Sequence, residues 1–136
     1  IINKHINHYL SEMDFAIQFT FDEEFEEHIR NNHGNDFPYE LFSDGEKKRI
    51  DLALLLTWRS VARLKNSASI NLLVMDEVLD SSLDIVGMEE AIKLIHKLES
   101  DCNVFVMSHR GDANVDKFAH TITFEKVRGF SQIKAN

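Results

Sequence analysis

Two adjacent acidic residues stand where a short apolar segment of the chain ends. Residues 72–75 are Leu-Leu-Val-Met, and Asp76-Glu77 follows them directly. A short apolar run of this kind predicts a buried strand. At such a strand end one carboxylate can hold Mg²⁺ through water beside a triphosphate, and the next can orient and deprotonate an attacking water molecule. The alternative interpretation is an ordinary acidic turn after a buried strand.

A second candidate site precedes a long apolar helix. Ser43 and Glu46 have the spacing of a capping box, with Ser43 as the N-cap and Glu46 as the third helical residue. A capped helix start with free backbone N–H groups and a glycine close by, here Gly45, is also suited to binding phosphate. The spacing alone favours the capping box, and the two interpretations do not exclude each other.

The acidic pair belongs to a predicted strand–helix–strand unit. Residues 70–75 and 103–107 are predicted to be strands buried on both faces, and residues 88–98 are predicted to be the helix between them. Such crossovers are parallel, so both strands end at one edge of the sheet, where ligands bind in open α/β sheets. The second strand runs into Ser108-His109, so His109 is expected to face the same crevice as the acidic pair.

The remaining elements are assigned from periodicity and turn residues. Trp58 and the ten phenylalanines are predicted to be core. The other predicted elements are a helix over residues 1–12, strands over 15–21 and 25–30 joined by an acidic turn, a loop over 31–38, a helix over 45–63, and a closing hairpin of residues 121–124 and 130–133 around Arg128-Gly129.

Composition bounds the class of protein. The chain has 136 residues, of which 43% are hydrophobic and 28% are charged, and this fits one globular domain or one lobe of a larger one. The net charge of −8 argues against gripping nucleic acid by bulk attraction. The single cysteine, Cys102, excludes an internal disulfide framework and suits a reducing cytoplasm. No apolar run reaches the length of a membrane span, so no membrane partner is expected.

The order of these signals resembles the C-terminal half of an ABC-type ATPase head. The Ser-Asp-Gly-Glu-Lys segment that starts at Ser43 resembles the signature motif, residues 72–77 resemble Walker B, residues 81–84 resemble the D-loop, and His109 resembles the switch histidine. The two strands before the signature, and the Glu46-Lys47 pair that follows its glycine, are similar to the SMC and SbcC class of DNA-repair ATPases. The short, acidic head and the Phe-Ser-x-Gly-Glu-Lys segment that starts at Phe42 look most like the large ATPase subunits of phage recombination endonucleases. The implied fold is the α/β C-terminal lobe of such a head, with a mainly parallel buried sheet, flanking helices and peripheral antiparallel strands.

The resemblance implies a role for each motif. Two heads would sandwich two ATP molecules, with Asp76 holding Mg²⁺, Glu77 activating water and His109 sensing the γ-phosphate. Other residues would contact the nucleotide bound to the opposite head or lie on the dimer seam: Ser43, Asp44, Gly45 and Glu46 of the signature, and Ser82 and Asp84 of the D-loop. Asp44 departs from the motif because it stands where the family has its first glycine. Either its side chain points away while the backbone contacts the phosphate, or engagement of the two heads is weakened. The first is expected, because an acid is favourable in the first turn of a helix.

The same resemblance implies what surrounds this chain. Residues 1–136 are expected to form the C-terminal lobe of a split head, with residues 1–12 at the end of a coiled-coil arm. The sequence contains no G-x-x-x-x-G-K-[ST], so the P-loop is expected in an N-terminal lobe outside this chain. The expected partners are that lobe, a second copy, a metal-dependent nuclease subunit and, through the assembled complex, duplex DNA in the cytoplasm of a bacterial or phage-infected cell. The alternatives are an SMC-type scaffold head that dimerises without turnover and, more distantly, the nucleotide-binding domain of an ABC transporter.

Overall fold

The computed structural model describes residues 1–65, 70–80, 83, 85–99, 102–109 and 115–134. Within these ranges the strands form three separate two-stranded sheets, of which one is parallel, and the expected α/β class is confirmed. The elements are α1 (Ile2–Glu12), β1 (Gln18–Phe21), β2 (Glu27–Arg30), α2 (Asp44–Lys65), β3 (Leu72–Asp76), α3 (Ile85–Glu99), β4 (Asn103–Met107), β5 (Phe124–Val127) and β6 (Phe130–Ile133), with short 3₁₀ turns at Tyr39–Leu41 and Val115–Lys117.

The core forms where the amphipathic helix α1 lies against α2. Ile6 and Leu10 on α1 are fully buried. On α2, Ala53 is fully buried and Leu56 is 1% exposed. Burying a side chain the size of leucine contributes about 1.5–3 kcal/mol, so this seam is a main source of stability. The hydroxyls of Tyr9 and Ser60, 2.7 Å apart, add a polar contact between the two helices.

Two asparagines attach α1 to the outer edge of β1. The Asn7 amide donates to the Phe19 carbonyl at 2.6 Å and accepts from the Phe19 N–H at 2.9 Å. Asn3, one helical turn earlier, does the same for Phe21 at 2.9 and 2.8 Å. Alternate residues of an edge strand direct their N–H and C=O groups away from the partner strand, and these side chains satisfy them. The helix therefore takes the place of a third strand.

The β1–β2 hairpin has the predicted pairing, although both strands are shorter than expected. Gln18 pairs with Arg30 and Phe21 with Glu27 in an antiparallel register. The turn is held by Asp22, whose carboxylate accepts from the N–H groups of Glu24 and Glu26 and contacts His28 Nε2 at 2.9 Å. The hydrogen bond from His28, more than any other contact, lowers the pKa of Asp22.

The strand–helix–strand unit forms as predicted, with β3 and β4 parallel and paired from Leu72 with Asn103 to Asp76 with Met107. Burial of the two strands on both faces is wrong for this chain. Met75 is buried, but the side chains of alternate residues on the opposite face are about half-exposed: Leu72, Val74, Phe105 and Met107. The helix α3, whose Ala91 and Ile95 are fully buried, lies on the other face. Within the described residues this pair of strands is therefore covered on one side only.

The expectation that all the large aromatic residues are core is also wrong. Six phenylalanines belong to the core or pack against it, but Trp58 is 44% exposed. The exposed phenylalanines are Phe25, Phe105, Phe124 and Phe130. Phe25 lies at the tip of the β1–β2 hairpin with a positive φ of 64°, and it is 62% exposed although its ring lies 6.1 Å from that of Phe21. The other three lie on strands β4, β5 and β6.

The closing hairpin is confirmed, with its first strand three residues later than predicted. Strand β5 pairs with β6 from Phe124 with Ile133 to Val127 with Phe130. Arg128 and Gly129 have φ values of 50° and 87°, the two positive values that a type I′ hairpin turn requires. Turn geometry fixes the register of such a hairpin, and this places the strand directly before Arg128.

Candidate functional site at the carboxyl edge of the parallel strands

The acidic pair and the histidine meet at one edge of the β3–β4 sheet. The Glu77 N–H donates to the Met107 carbonyl at 3.0 Å, which continues the ladder one residue beyond β3. Glu77 has a φ of 55°, in the left-handed region that non-glycine residues rarely adopt. Such a conformation costs about 1–3 kcal/mol and is concentrated at functional sites. It turns the chain sharply at the residue that carries the carboxylate.

Glu77 and His109 are in direct contact. His109 Nε2 lies 2.7 Å from Glu77 Oε1, although 32 residues separate them in sequence. Both side chains are open to solvent, with exposures of 57% for Glu77 and 83% for His109. Asp76 is also exposed, at the last position of β3. All three predicted residues therefore reach the accessible edge at which a ligand could bind.

A fourth residue at this edge, Asp80, was missed by the sequence analysis. Its carboxylate accepts hydrogen bonds from the Ser108 hydroxyl and from the His109 backbone N–H. Its own N–H donates to the Glu77 carbonyl at 3.2 Å. The only signal in the sequence was a third acid close behind Asp76-Glu77, which by itself is also typical of a solvated turn.

The donors at this edge fit a hard divalent cation that is shared with phosphate groups. Asp76 and Glu77 offer carboxylate oxygens, the ligands that Mg²⁺ prefers. In the described part of the chain no group of three or more His, Cys, Asp or Glu residues could hold a metal ion by itself. Mg²⁺ characteristically binds through one or two carboxylates together with substrate phosphates, so this sparse donor set is the kind it uses with a nucleotide.

The segment of residues 43–47 that resembles the signature motif (the signature segment) forms the capping box that its spacing predicts. The helix α2 begins at Asp44, so Ser43 is its N-cap. Glu46 accepts from the Ser43 N–H at 2.8 Å and from the Ser43 hydroxyl at 2.7 Å, and its own N–H lies 3.4 Å from that hydroxyl oxygen. Asp44 is exposed in the first turn. The N–H groups at the start of a helix have no partner within the helix, so an anion could bind here.

Aromatic contacts fix the position of this helix start. Phe42, buried directly before Ser43, contacts the rings of Phe15 and Phe37 with centroids 5.9 and 4.7 Å away. About two turns into α2, the Tyr39 hydroxyl donates to Asp51 at 2.8 Å. Burial, together with that hydrogen bond, raises the pKa of Tyr39 to about 12. The signature segment is thus anchored by side chains before and after it.

The signature and the sheet edge are separate sites within this chain. Among the described residues, the side chains of Ser43 and Glu46 hydrogen-bond to each other, and the hydrogen bonds of the Glu77 and His109 side chains remain at the β3–β4 edge. Ser82 and Asp84, predicted for the dimer seam, lie outside the described residues. Within the same part of the chain, no helix is long and apolar enough to cross a membrane.

The fold is that of SMC ATPase head domains. A solved structure from work on the "ATP-driven dimerization and DNA stimulated activation of SMC ATPases" matches with a TM-score of 0.77 at 16% identity, and the match covers 98% of this chain and 81% of that one. The "SMC head domain from Thermotoga maritima" matches with a TM-score of 0.70 at 26% identity, covering 98% of this chain and 46% of that one. The resemblance to the C-terminal lobe of an SMC-type head is confirmed.

The chain is homologous to phage exonuclease subunit 2 over nearly all of its own length. "Exonuclease subunit 2" of Enterobacteria phage T4 is 41% identical over 131 residues, and that of Escherichia phage RB69 is 42% identical over 131 residues. Each match covers 96% of this chain and 23% of the relative, so the chain spans about a quarter of the length of these proteins. No protein-family model matches the chain.

Proposed function

We propose that this chain is the C-terminal lobe of the ATP-hydrolysing head of an SMC-like subunit in a phage DNA recombination and repair nuclease. The observation that carries the proposal is the 2.7 Å contact between His109 and Glu77 at the shared end of two parallel strands. An imidazole, a carboxylate that accepts a hydrogen bond from it, and a second, exposed carboxylate are together the groups that activate water next to a phosphate.

Each residue of the sheet edge has a distinct part in this proposal. Glu77 is the general base that orients and deprotonates the attacking water. His109 orients Glu77 and contacts the γ-phosphate. Asp76 would hold Mg²⁺ through water, and the bound ion would supply positive charge that offsets the negative charge of the phosphate groups. These three side chains are exposed, which agrees with a site that closes only when a nucleotide and further protein cover it.

The signature segment acts on the nucleotide held by a second head. The first-turn N–H groups of α2 and the Ser43 hydroxyl would contact that γ-phosphate, while Gly45 allows close approach and Glu46 maintains the cap. The Ser43 hydroxyl is bonded to Glu46 within this chain, so engagement requires it to exchange that partner for phosphate. Asp44 is exposed at the start of the helix, and its side chain can turn away from the incoming anion.

The uncovered apolar surface supports docking of the N-terminal lobe, which would carry the P-loop. The exposed face of β3–β4 and the β5–β6 hairpin present large apolar side chains to solvent, and monomeric proteins rarely leave such surface uncovered. A second copy would complete two ATP sites. The nuclease subunit and duplex DNA would join through the assembled complex, as expected for a chain homologous to a protein called exonuclease subunit 2.

The substitution Glu77→Gln in the full-length protein tests this proposal. It preserves size and polarity but removes the base, so ATP hydrolysis should fall by about 100-fold or more. ATP binding should remain, and ATP-dependent dimers should accumulate because they are no longer resolved. The matched control is Glu89→Gln, the same chemical change at an exposed position on α3. Unchanged turnover in Glu77→Gln would remove this residue from the mechanism, and absence of turnover in the unmodified protein would favour a scaffold head.

A further inference from the structure

We propose that Asp80 is a positioning residue that holds His109 against Glu77, an inference that rests on the proposed function. Asp80 belongs to the turn after β3, whereas Ser108 and His109 follow β4. One carboxylate oxygen of Asp80 accepts from the Ser108 hydroxyl, and the other accepts from the His109 backbone N–H. A single side chain thus ties the ends of both strands together.

These bonds complete a closed ring of contacts around the site. The Asp80 N–H donates to the Glu77 carbonyl, the Asp80 carboxylate binds the His109 backbone, and the His109 ring returns to the Glu77 carboxylate at 2.7 Å. The His109 side chain is 83% exposed, so little packing holds it in place. Its direction depends on hydrogen bonds to its backbone and ring, and Asp80 supplies the backbone one.

Asp80 acts through its two hydrogen bonds rather than through its charge. An asparagine carbonyl can accept from the His109 N–H, while its NH₂ group can donate to the Ser108 hydroxyl, because a hydroxyl both donates and accepts. Asparagine can therefore reproduce both contacts without a negative charge, and alanine can reproduce neither. A role in binding a cation would require the charge, so the two substitutions separate the two explanations.

The experiment measures ATP hydrolysis per bound nucleotide in the full-length protein. For Asp80→Ala we expect kcat to fall by about tenfold and KM for ATP to change by less than about twofold, because a misplaced group affects the chemical step rather than nucleotide binding. Asp80→Asn should retain at least about half of the rate. Ser108→Ala removes one of the two bonds from the opposite strand and should give a smaller loss. Glu89→Ala serves as the control.

Every outcome bears on the inference. Asp80→Asn failing as badly as Asp80→Ala would overturn it in favour of a charge effect, and a normal rate in Asp80→Ala would overturn it outright. A merely structural role would reduce the number of nucleotide-binding sites and the melting temperature, with an unchanged rate per bound nucleotide. If Asp80→Ala fails to fold, Asp80→Asn decides instead, because a rate per bound nucleotide below about half that of the unsubstituted protein would refute the proposal. Loss of hydrolysis in Glu77→Gln combined with a normal Asp80→Ala would leave the proposed function intact and reject this inference alone.

Discussion

Asn7 offers a sharp test of how α1 is joined to the rest of the protein. The substitution Asn7→Leu keeps similar bulk on the helix but removes the amide that meets Phe19. The Phe19 N–H and C=O would each lose a partner at 2.9 and 2.6 Å, beside a phenyl ring that is fully buried. A buried polar group left without a partner costs about 1–3 kcal/mol.

The expected cost is at the lower end of that range for each group, because Asn7 is half-buried and water can approach. We expect the variant to lower the free energy of local opening of β1 by about 2 kcal/mol, which corresponds to an equilibrium constant for opening, and hence hydrogen exchange, about 30-fold greater. Hydrogen exchange at the Phe19 amide, followed in a peptide that contains β1, measures this directly. The control is Lys4→Ala, an exposed change on the same helix.

A second variant separates hydrogen bonding from shape. Asn7→Asp keeps an acceptor for the Phe19 N–H but loses the donor, and it sets a carboxylate beside the Phe19 carbonyl. We expect exchange at Phe19 to accelerate here as well, although asparagine and aspartate have nearly the same size. The expected exchange at Phe19 in Asn7→Leu is about 30-fold faster than in the unsubstituted protein. Exchange rates within about threefold of that protein in both variants would show that the Asn7 amide does not hydrogen-bond the edge of β1 in place of a third strand.

Three further predictions concern the signature segment and the uncovered sheet. Ser43→Arg removes the cap, at a cost of about 1 kcal/mol, and obstructs the start of α2. ATP should still bind, but ATP-dependent dimerisation should fail when it is measured by light scattering, with thermal melting as the control for stability. Persistence of the dimer would contradict the signature assignment. The folded state favours the neutral form of Tyr39, because its pKa there is raised to about 12. The stability that this shift contributes is fully present when the pH is below about 10, the ordinary pKa of tyrosine, and it is lost as the pH rises towards 12. Asp51→Asn should lower that pKa, and ultraviolet titration against a Tyr39→Phe reference checks it, with an unchanged pKa refuting the contact. Phe105→Asp on the exposed face of β4 should abolish binding of a separately produced N-terminal lobe, and intact binding would show that this face is not the docking surface.

Local signals predicted most of the framework. The capping box of Ser43 and Glu46 forms because both partners lie within one helical turn, and turn chemistry alone specified the Arg128-Gly129 hairpin. The parallel pairing of β3 and β4 followed from a general rule of strand crossovers. The meeting of Glu77 with His109 needed only that rule, because parallel strands end at one edge.

The failures arose where the answer depended on what lies against a residue. Leu72 and Phe105 belong to apolar segments that are typical of strands buried on both faces, but both residues are exposed. A sequence pattern does not show whether the layer that covers each face of a sheet comes from the same chain. Asp80 contacts Ser108, which lies 28 residues away in sequence, and no local spacing of residues predicts such a bond. The same holds for Asn7, which lies on an amphipathic helix like any half-buried polar residue.

If this chain supplies half of a composite ATPase site, the two halves made separately should form a working site when they are mixed. The chain lacks the P-loop, so alone it should not hydrolyse ATP, and it should bind ATP no more tightly than about millimolar, or about −4 kcal/mol. Mixing it with a separately produced N-terminal lobe should restore Mg²⁺-dependent hydrolysis, and the same mixture made with Glu77→Gln should be inactive. Micromolar ATP binding by this chain alone, or equal hydrolysis by the Glu77→Gln mixture, would contradict the account.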